Sequence, residues 1–255
     1  MNTFEGGPQK NKPEFRPAMV EKIQSWQIKR IAPELFELAR KIVETRKTYD
    51  LILSDDASGR LVSLFLQKIL GAVREKNGLP KTDVKFVSSG RRADETALDA
   101  AKKMLEDMAP ERTLIATEYI EIGRSMRKLI PILQELGLKF DVASLSIKDE
   151  SALESVRDLS LHGTDKSLFE RMKKSFSSKP ASDAEIYYGA VGSQGVDMHD
   201  RRLVSGVYTD PSGVIKKTIS AGYGDEEKQK IQTTINRARE DVDLLAQETL
   251  KELGI

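Results

Sequence analysis

Within TLIATEYIEIGRSM, residues 113 to 126, a carboxylate, a glycine and a hydroxyl follow an apolar run in an order that suits phosphate chemistry. A loop joining a strand end to a helix start exposes backbone N–H groups, and the positive end of the helix dipole adds to them. Gly123 lets the backbone approach a ligand closely. Ser125 caps the helix or donates to a phosphate oxygen. The loop from Glu121 to Ser125 therefore reads as a phosphate cradle. Glu118, at the expected strand end, is placed to accept hydrogen bonds from a sugar diol. A phosphate cradle beside such a carboxylate is what a ribose 5-phosphate needs. The bland alternative is an ordinary strand-to-helix connection with a left-handed glycine.

The elements that would hold this loop are legible as an alternation. YDLILS, DVKFVSS, RTLIAT and KFDVASLSI read as buried strands near 50–54, 84–88, 113–117 and 140–147. EYIEIGR reads as the loop after the third. Between the strands, RLVSLFLQKILGAVREK, ADETALDAAKKMLEDM and SMRKLIPILQELG carry helical spacing, the last ending at Gly137 as a C′ residue. Such alternation predicts an α/β fold, a mostly parallel sheet flanked by helices. In a sheet of that kind ligands lie beyond the carboxyl ends of the strands. An N-terminal helical segment, AMVEKIQSWQIKRIAPELFELARKIVETRKT, is expected to break near Pro33, and Pro131 is expected to kink its helix. AEIYYGAVGSQGV and RRLVSGVYTDPSGVIKKTIS read as further strands and turns, with one of Tyr187 and Tyr188 in the core. Residues 148 to 184 cover a sheet edge or act as a linker. The chain divides into a loose arm, 1–16, and a single domain, 17–255, with its core over about 48–220. A long amphipathic helix over about 225–254 packs on its own domain or pairs with a second copy in a homodimer.

Composition narrows the function classes. The chain has 255 residues, 32% of them charged, yet its net charge is only +1. Bulk attraction to nucleic acid or membrane is not implied, so an anion site must be local. There is no cysteine and there are two histidines, His162 and His199, which excludes a thiol nucleophile, a disulfide framework and a histidine-rich metal cluster. The polar start, MNTFEGGPQKNKPEF, lacks the apolar region of a signal peptide, and no apolar run reaches membrane-span length. A cytoplasmic protein with no internal repeat is expected.

Residues 114 to 125 resemble the signature of type I phosphoribosyltransferases: a hydrophobic strand, two acidic residues, a short variable stretch and a Thr-Gly-x-Thr-like loop. Leu114, Ile115 and Ala116 match the strand. Thr117 and Glu118 fall on the acidic pair, and Glu121, Ile122, Gly123, Arg124 and Ser125 on the phosphate loop. The departures are Thr117 in place of an acid and Ile122 in place of a hydroxyl. The resemblance spans about residues 50 to 148 and implies a phosphoribosyltransferase-like fold. It implies transfer of a phosphoribosyl group from phosphoribosyl pyrophosphate to a nitrogen nucleophile such as a nucleobase. Thr117, Glu118, Ile122, Gly123, Arg124 and Ser125 would then bind ribose and phosphate, and Glu121 would act as general base or face the oxocarbenium charge. YDLILSDDASGRLVSLFLQKIL matches the family's first strand, pyrophosphate loop and helix. Ser58, Gly59 and Arg60 would meet pyrophosphate, with Asp55 and Asp56 holding Mg2+. Arg91 and Arg92, where the family has its mobile hood, would close over the leaving group. VGSQGVDMHDRRL resembles, at shorter spacing, a late segment of purine salvage members.

Plainer readings stand beside these. DDASGR also reads as a polar turn with Asp56 or Ser58 as N-cap, and Arg91 and Arg92 as solvated turn residues. His199 reads as a surface histidine. At the level of function the alternative is a catalytically reduced member that binds a nucleotide or ribose phosphate as a regulatory module.

Overall fold

Five parallel strands form one sheet in the order β2-β1-β3-β4-β5, running β1 Leu51–Asp55, β2 Asp83–Val87, β3 Arg112–Ile120, β4 Lys139–Ile147 and β5 Ile186–Val191. The computed structural model describes residues 13–55, 59–87, 95–121, 123, 126–162, 184–192, 208–209, 215–216 and 225–255. The helices are α1 Trp26–Glu44, α2 Arg60–Lys76, α3 Glu95–Met108, α4 Met126–Glu135, α5 Glu150–His162 and α6 Asp225–Leu253. A short antiparallel pair, β6 Tyr208–Thr209 and β7 Ile215–Lys216, stands apart from the sheet. The four strands expected from the sequence thus lie in one parallel sheet, as the α/β alternation requires.

Both sheet faces are apolar, as a sheet covered on two sides demands. Strand alternation sends Ile52, Leu114, Ala143, Leu145 and Tyr187 to one face, under α1, α2 and α6. It sends Leu51, Leu53, Ile115 and Val142 to the other, where Leu105 of α3, Leu129 and Leu133 of α4 and Val156 of α5 pack. Tyr187 is the tyrosine that enters the core. Tyr188 lies under Lys41, whose Nζ is 4.2 Å from the ring centroid and donates to the Tyr188 carbonyl at 2.8 Å.

Two local expectations are corrected. α1 does not break near Pro33 but runs through it. Pro33 removes the bond to the Lys29 carbonyl, yet Pro33 and Lys29 both lie on the exposed face of α1, so the helix is not forced to break there. β3 does not end at Thr117. It continues to Ile120 because β4 offers it a partner that far, with Thr117 opposite Ser144 and Ile120 opposite Ile147. α4 continues through Pro131 and closes at Gly137 (φ 65°), where the Leu138 N–H donates to the Leu133 carbonyl at 2.9 Å.

The amino ends of the strands are tied by one buried carboxylate. Asp141 of β4, fully buried, accepts from the Tyr49 hydroxyl at 2.8 Å, the Arg112 guanidinium at 2.8 Å, Lys47 Nζ at 3.2 Å and the Glu185 N–H at 2.7 Å. These donors come from the segments before β1 and β5 and from the first residue of β3, so a single side chain ties together the starts of four strands. Burial first, then the contact with Tyr187, pushes the Tyr49 phenol well above its ordinary range, so it stays a donor.

α6 crosses the same face and fastens the start of the chain. It lays Ala238, Val242, Leu245 and Ala246 into the core beside α1 and α2. Its buried Asp241 accepts the Gln24 and Ser25 N–H groups at 3.0 and 2.7 Å. Phe15 packs edge-on to Phe36 at 6.1 Å and Arg16 pairs with Glu252 at 3.0 Å, so the described end of the expected arm is docked. Residues 1–12 lie outside the described ones.

Candidate functional site

The ladder between β1 and β3 ends at Ser54 opposite Ala116. From there β1 follows β2, with Asp55 opposite Val87, while β3 follows β4 to Ile120. The two central strands therefore part at their carboxyl ends. In this strand order the parting is the topological switch point, where the connections leave in opposite directions and a crevice opens. The segments carrying Gly59 and Gly123 both follow strands at this end, so they flank one crevice.

On the α2 face a lateral row crosses the sheet just below the split: Phe86 of β2, Ser54 of β1 and Ala116 of β3. Neighbouring strands lie about 4.8 Å apart, so the row spans roughly 10 Å. Ser54 and Ala116 are small and fully buried. One step further along β3, on the same face by alternation, is Glu118. It is 8% exposed, which is low for a carboxylate. Thr117, 2% exposed, falls on the opposite face, toward α4. The pair Thr117 and Glu118 therefore addresses the two sides of the sheet from one strand end.

Two helices begin at this crevice. α2 has Gly59 as its N-cap, with no side-chain cap and no acid in its first turn, and the Ser63 N–H donates to the Gly59 carbonyl at 2.8 Å. Its first residue, Arg60, is half-buried and holds its guanidinium 5.1 Å from the centroid of the Phe86 ring. α4 also lacks an acid in its first turn. It is entered through Gly123, buried at φ 65°, a conformation glycine adopts without strain. The Gly123 carbonyl receives the Arg127 N–H at 3.0 Å, the first bond of α4. By contrast α5, beside the split, starts on Glu150.

Glu121, the expected general base, is exposed at the start of the loop, and its carboxylate lies 3.7 Å from Lys148 Nζ. Lys148 follows β4 directly, and its N–H donates to the Ile120 carbonyl at 2.9 Å. The backbone of Asp55 ends β1 at the split. Asp56, Ser58, Arg91, Arg92, Ile122, Arg124, Ser125 and His199 lie outside the described residues. Of the expected site, Glu118, Thr117, Glu121, Gly59, Arg60, Gly123 and the Asp55 backbone lie among the described residues, at or just after the carboxyl ends of β1 and β3.

Three neighbours of this crevice were not singled out in the sequence. Lys148 and Phe86 are ordinary residues of strand ends until the register brings them beside Glu121 and Arg60. Ser54 is fully buried, and its hydroxyl makes no hydrogen bond among the described residues. A lone serine inside LILSD carries no sequence signal. Among the described residues no three acidic or imidazole side chains gather as a metal cluster, and no helix is long and apolar enough to cross a membrane. No protein-family model and no curated protein matches the chain.

Proposed function

We propose that the crevice binds a phosphorylated ribose and that the chain is a phosphoribosyltransferase, moving a phosphoribosyl group from phosphoribosyl pyrophosphate to a nitrogen nucleophile. The observation that supports this most is the parting of β1 and β3, with a glycine-led helix start on each side and Glu118 buried at the end of β3. Glu118 accepts from the ribose hydroxyls, while Thr117, on the opposite face of β3, brings no charge to the sugar. The backbone around Gly123, with Arg124 and Ser125, holds the 5-phosphate; Ile122 lies in the same loop. Ser58, Gly59 and Arg60 meet the pyrophosphate, and Arg91 and Arg92 close over it. Catalysis then rests on positioning and on charge stabilisation of a leaving polyanion. Glu121 takes the proton of the incoming nitrogen or faces the positive charge that develops on the sugar.

The carboxylates of Asp55 and Asp56 are oxygen donors of the kind that suits Mg2+, and the ion would neutralise pyrophosphate charge when bound. The Asp55 backbone stands at the split, where such a donor is needed.

A second reading is a binding module with reduced catalysis. Thr117 brings no charge to the sugar, and Glu121 is engaged by Lys148 at the surface. Calorimetric titration with phosphoribosyl pyrophosphate and Mg2+, followed by a pyrophosphate-release assay with a panel of nucleobases, separates the readings. Binding with release supports the enzyme. Binding without release supports the module. Absence of binding with an intact fold defeats both.

A further inference from the structure

α2 and α6 lie side by side and run in the same direction. Lys68 of α2 pairs with Asp243 of α6 at 3.2 Å, and further on Lys76 Nζ donates to the Gly254 carbonyl at 3.1 Å. Between these ties the two helices leave a cleft of about 320 Å³, beside the carboxyl-terminal half of α2 and away from the crevice at its start. Small-ligand sites begin at about 300 Å³, so the cleft has room for a small molecule. Gly71 belongs to its floor. This glycine is buried, yet a Cβ built on it would meet no atom within 4 Å. Glycine is poorly suited to a helix interior. Neither a left-handed φ nor a close neighbour calls for it here. The effect of its missing side chain is to keep the cleft deep. Ala72 and Ala246 beside it are small as well, and Leu250 adds an apolar wall.

The charges that line the cleft cancel. Lys68 pairs with Asp243 and Lys81 with Glu75, both at 3.2 Å. Such a lining has no net field to draw in a phosphate or another polyanion. It suits a molecule that brings one charge of each sign to an existing pair, so that no charge is left over. An ammonium then bonds Asp243 while a carboxylate bonds Lys68, and both contacts are charge-assisted. The Lys68–Asp243 pair is the one that bridges the two helices, and its side chains are only about half exposed, at 50% and 47%. One helical turn beyond it come Gly71 and Ala72 on α2 and Ala246 and Gln247 on α6, an apolar floor with one amide beside it.

We infer that this cleft binds a free α-amino acid with an uncharged side chain. Its zwitterionic head lies on the Lys68–Asp243 pair and its side chain over Gly71. The site is separate from the crevice and stands or falls independently of the phosphoribosyltransferase reading.

The test is a titration of the full chain, labelled with ¹⁵N, with L-leucine, L-methionine and L-glutamine in turn, followed through the backbone amide NMR signals. At least one should give saturable shifts centred on residues 67–72 and 243–250. The N-acetyl and methyl-ester forms of that amino acid each lack one charge of the head and should bind about tenfold more weakly or worse. Gly71→Met fills the floor and should abolish saturable binding. Gly71→Ala should raise the melting temperature, because alanine favours the helix and the space above it is open. Should Gly71→Met fail to fold, Asp243→Asn replaces it. That variant should lose about tenfold in affinity with a nearly unchanged melting temperature, since a half-exposed ion pair adds little to stability. The inference is overturned if none of the three amino acids gives saturable shifts, or if the shifts centre elsewhere. Equal affinity for the capped forms, undiminished binding by Gly71→Met or by Asp243→Asn, or a lower melting temperature in Gly71→Ala overturns it as well.

Discussion

Gly189 of β5 lies so close beneath α1 that a Cβ at this position would sit 2.3 Å from the backbone carbonyl oxygen of Glu34 and 2.7 Å from that of Leu145. Both obstacles are main-chain atoms of regular elements, which cannot swing aside as a side-chain end can. The absence of a side chain at 189 thus sets the height of α1 above the sheet. Gly189→Ala should lower stability by about 3 kcal/mol, the upper end of overpacking costs. Urea unfolding followed by circular dichroism reads this directly. A loss below about 1 kcal/mol would mean that α1 rides up without penalty.

The ribose-binding role of Glu118 is open to direct measurement. Glu118→Ala should weaken ribose 5-phosphate by about 1.5–3 kcal/mol, the range for hydrogen bonds to a charged group. Titration calorimetry on variant and parent, each checked for an intact fold, gives the number. Equal affinities would place the carboxylate away from the sugar.

Glu121 separates stability from chemistry. Its pair with Lys148 is exposed on both sides and is worth no more than about 1 kcal/mol. Glu121→Gln should therefore leave the melting temperature nearly unchanged. Loss of a general base should lower pyrophosphate release by about 100-fold or more. An unaltered release rate would remove Glu121 from the reaction.

At the opposite end of the sheet, Asp141 gathers two cations, a phenol and an N–H. Asp141→Leu leaves those donors without their acceptor and should cost about 3–5 kcal/mol. Glu185 in the same cluster is held below the usual carboxylate range by the Tyr187 hydroxyl and then by Lys47. A depressed pKa in the folded state means that the unfolded chain binds the proton more readily. The contribution of Glu185 is thus complete above the ordinary value of 4.5 and is lost as pH falls through the lower folded value. Unfolding curves between pH 6 and pH 3 should show a decline that is shallower in Glu185→Gln. Superimposable profiles would count against the linkage.

Much of this architecture was legible because it is local. The apolar runs at Leu51, Leu114 and Val142 and the helical spacing between them specify strand, helix and order without reference to anything distant. Even Gly137 at the end of α4 could be read from its position alone. What could not be read depends on partners remote in sequence. Glu118 and Tyr119 look like loop residues until β4 is known to run alongside as far as Ile147. Asp141 is one polar residue in KFDVASLSI, and its meaning comes from Lys47, Tyr49 and Arg112, which the fold brings together. The candidate site divides the same way. Gly123, Glu118 and Arg60 announce themselves by residue type, whereas Phe86, Ser54 and Lys148 acquire a role through register.

The anchoring of Gln24 and Ser25 by Asp241 closes a sequence separation of 217 and 216 residues. Loop closure over such a length costs entropy that only a formed core can offset. During synthesis α1 must therefore wait, its apolar face covered on one side by the sheet but not yet by Val242, Leu245 and Ala246. Until α6 leaves the ribosome, that face is a sticky surface in the nascent chain, the kind that chaperones hold. Completion of α6 is then the event that commits the molecule, and a chain stopped before residue 225 should be recovered mainly as aggregate or as chaperone-bound intermediate.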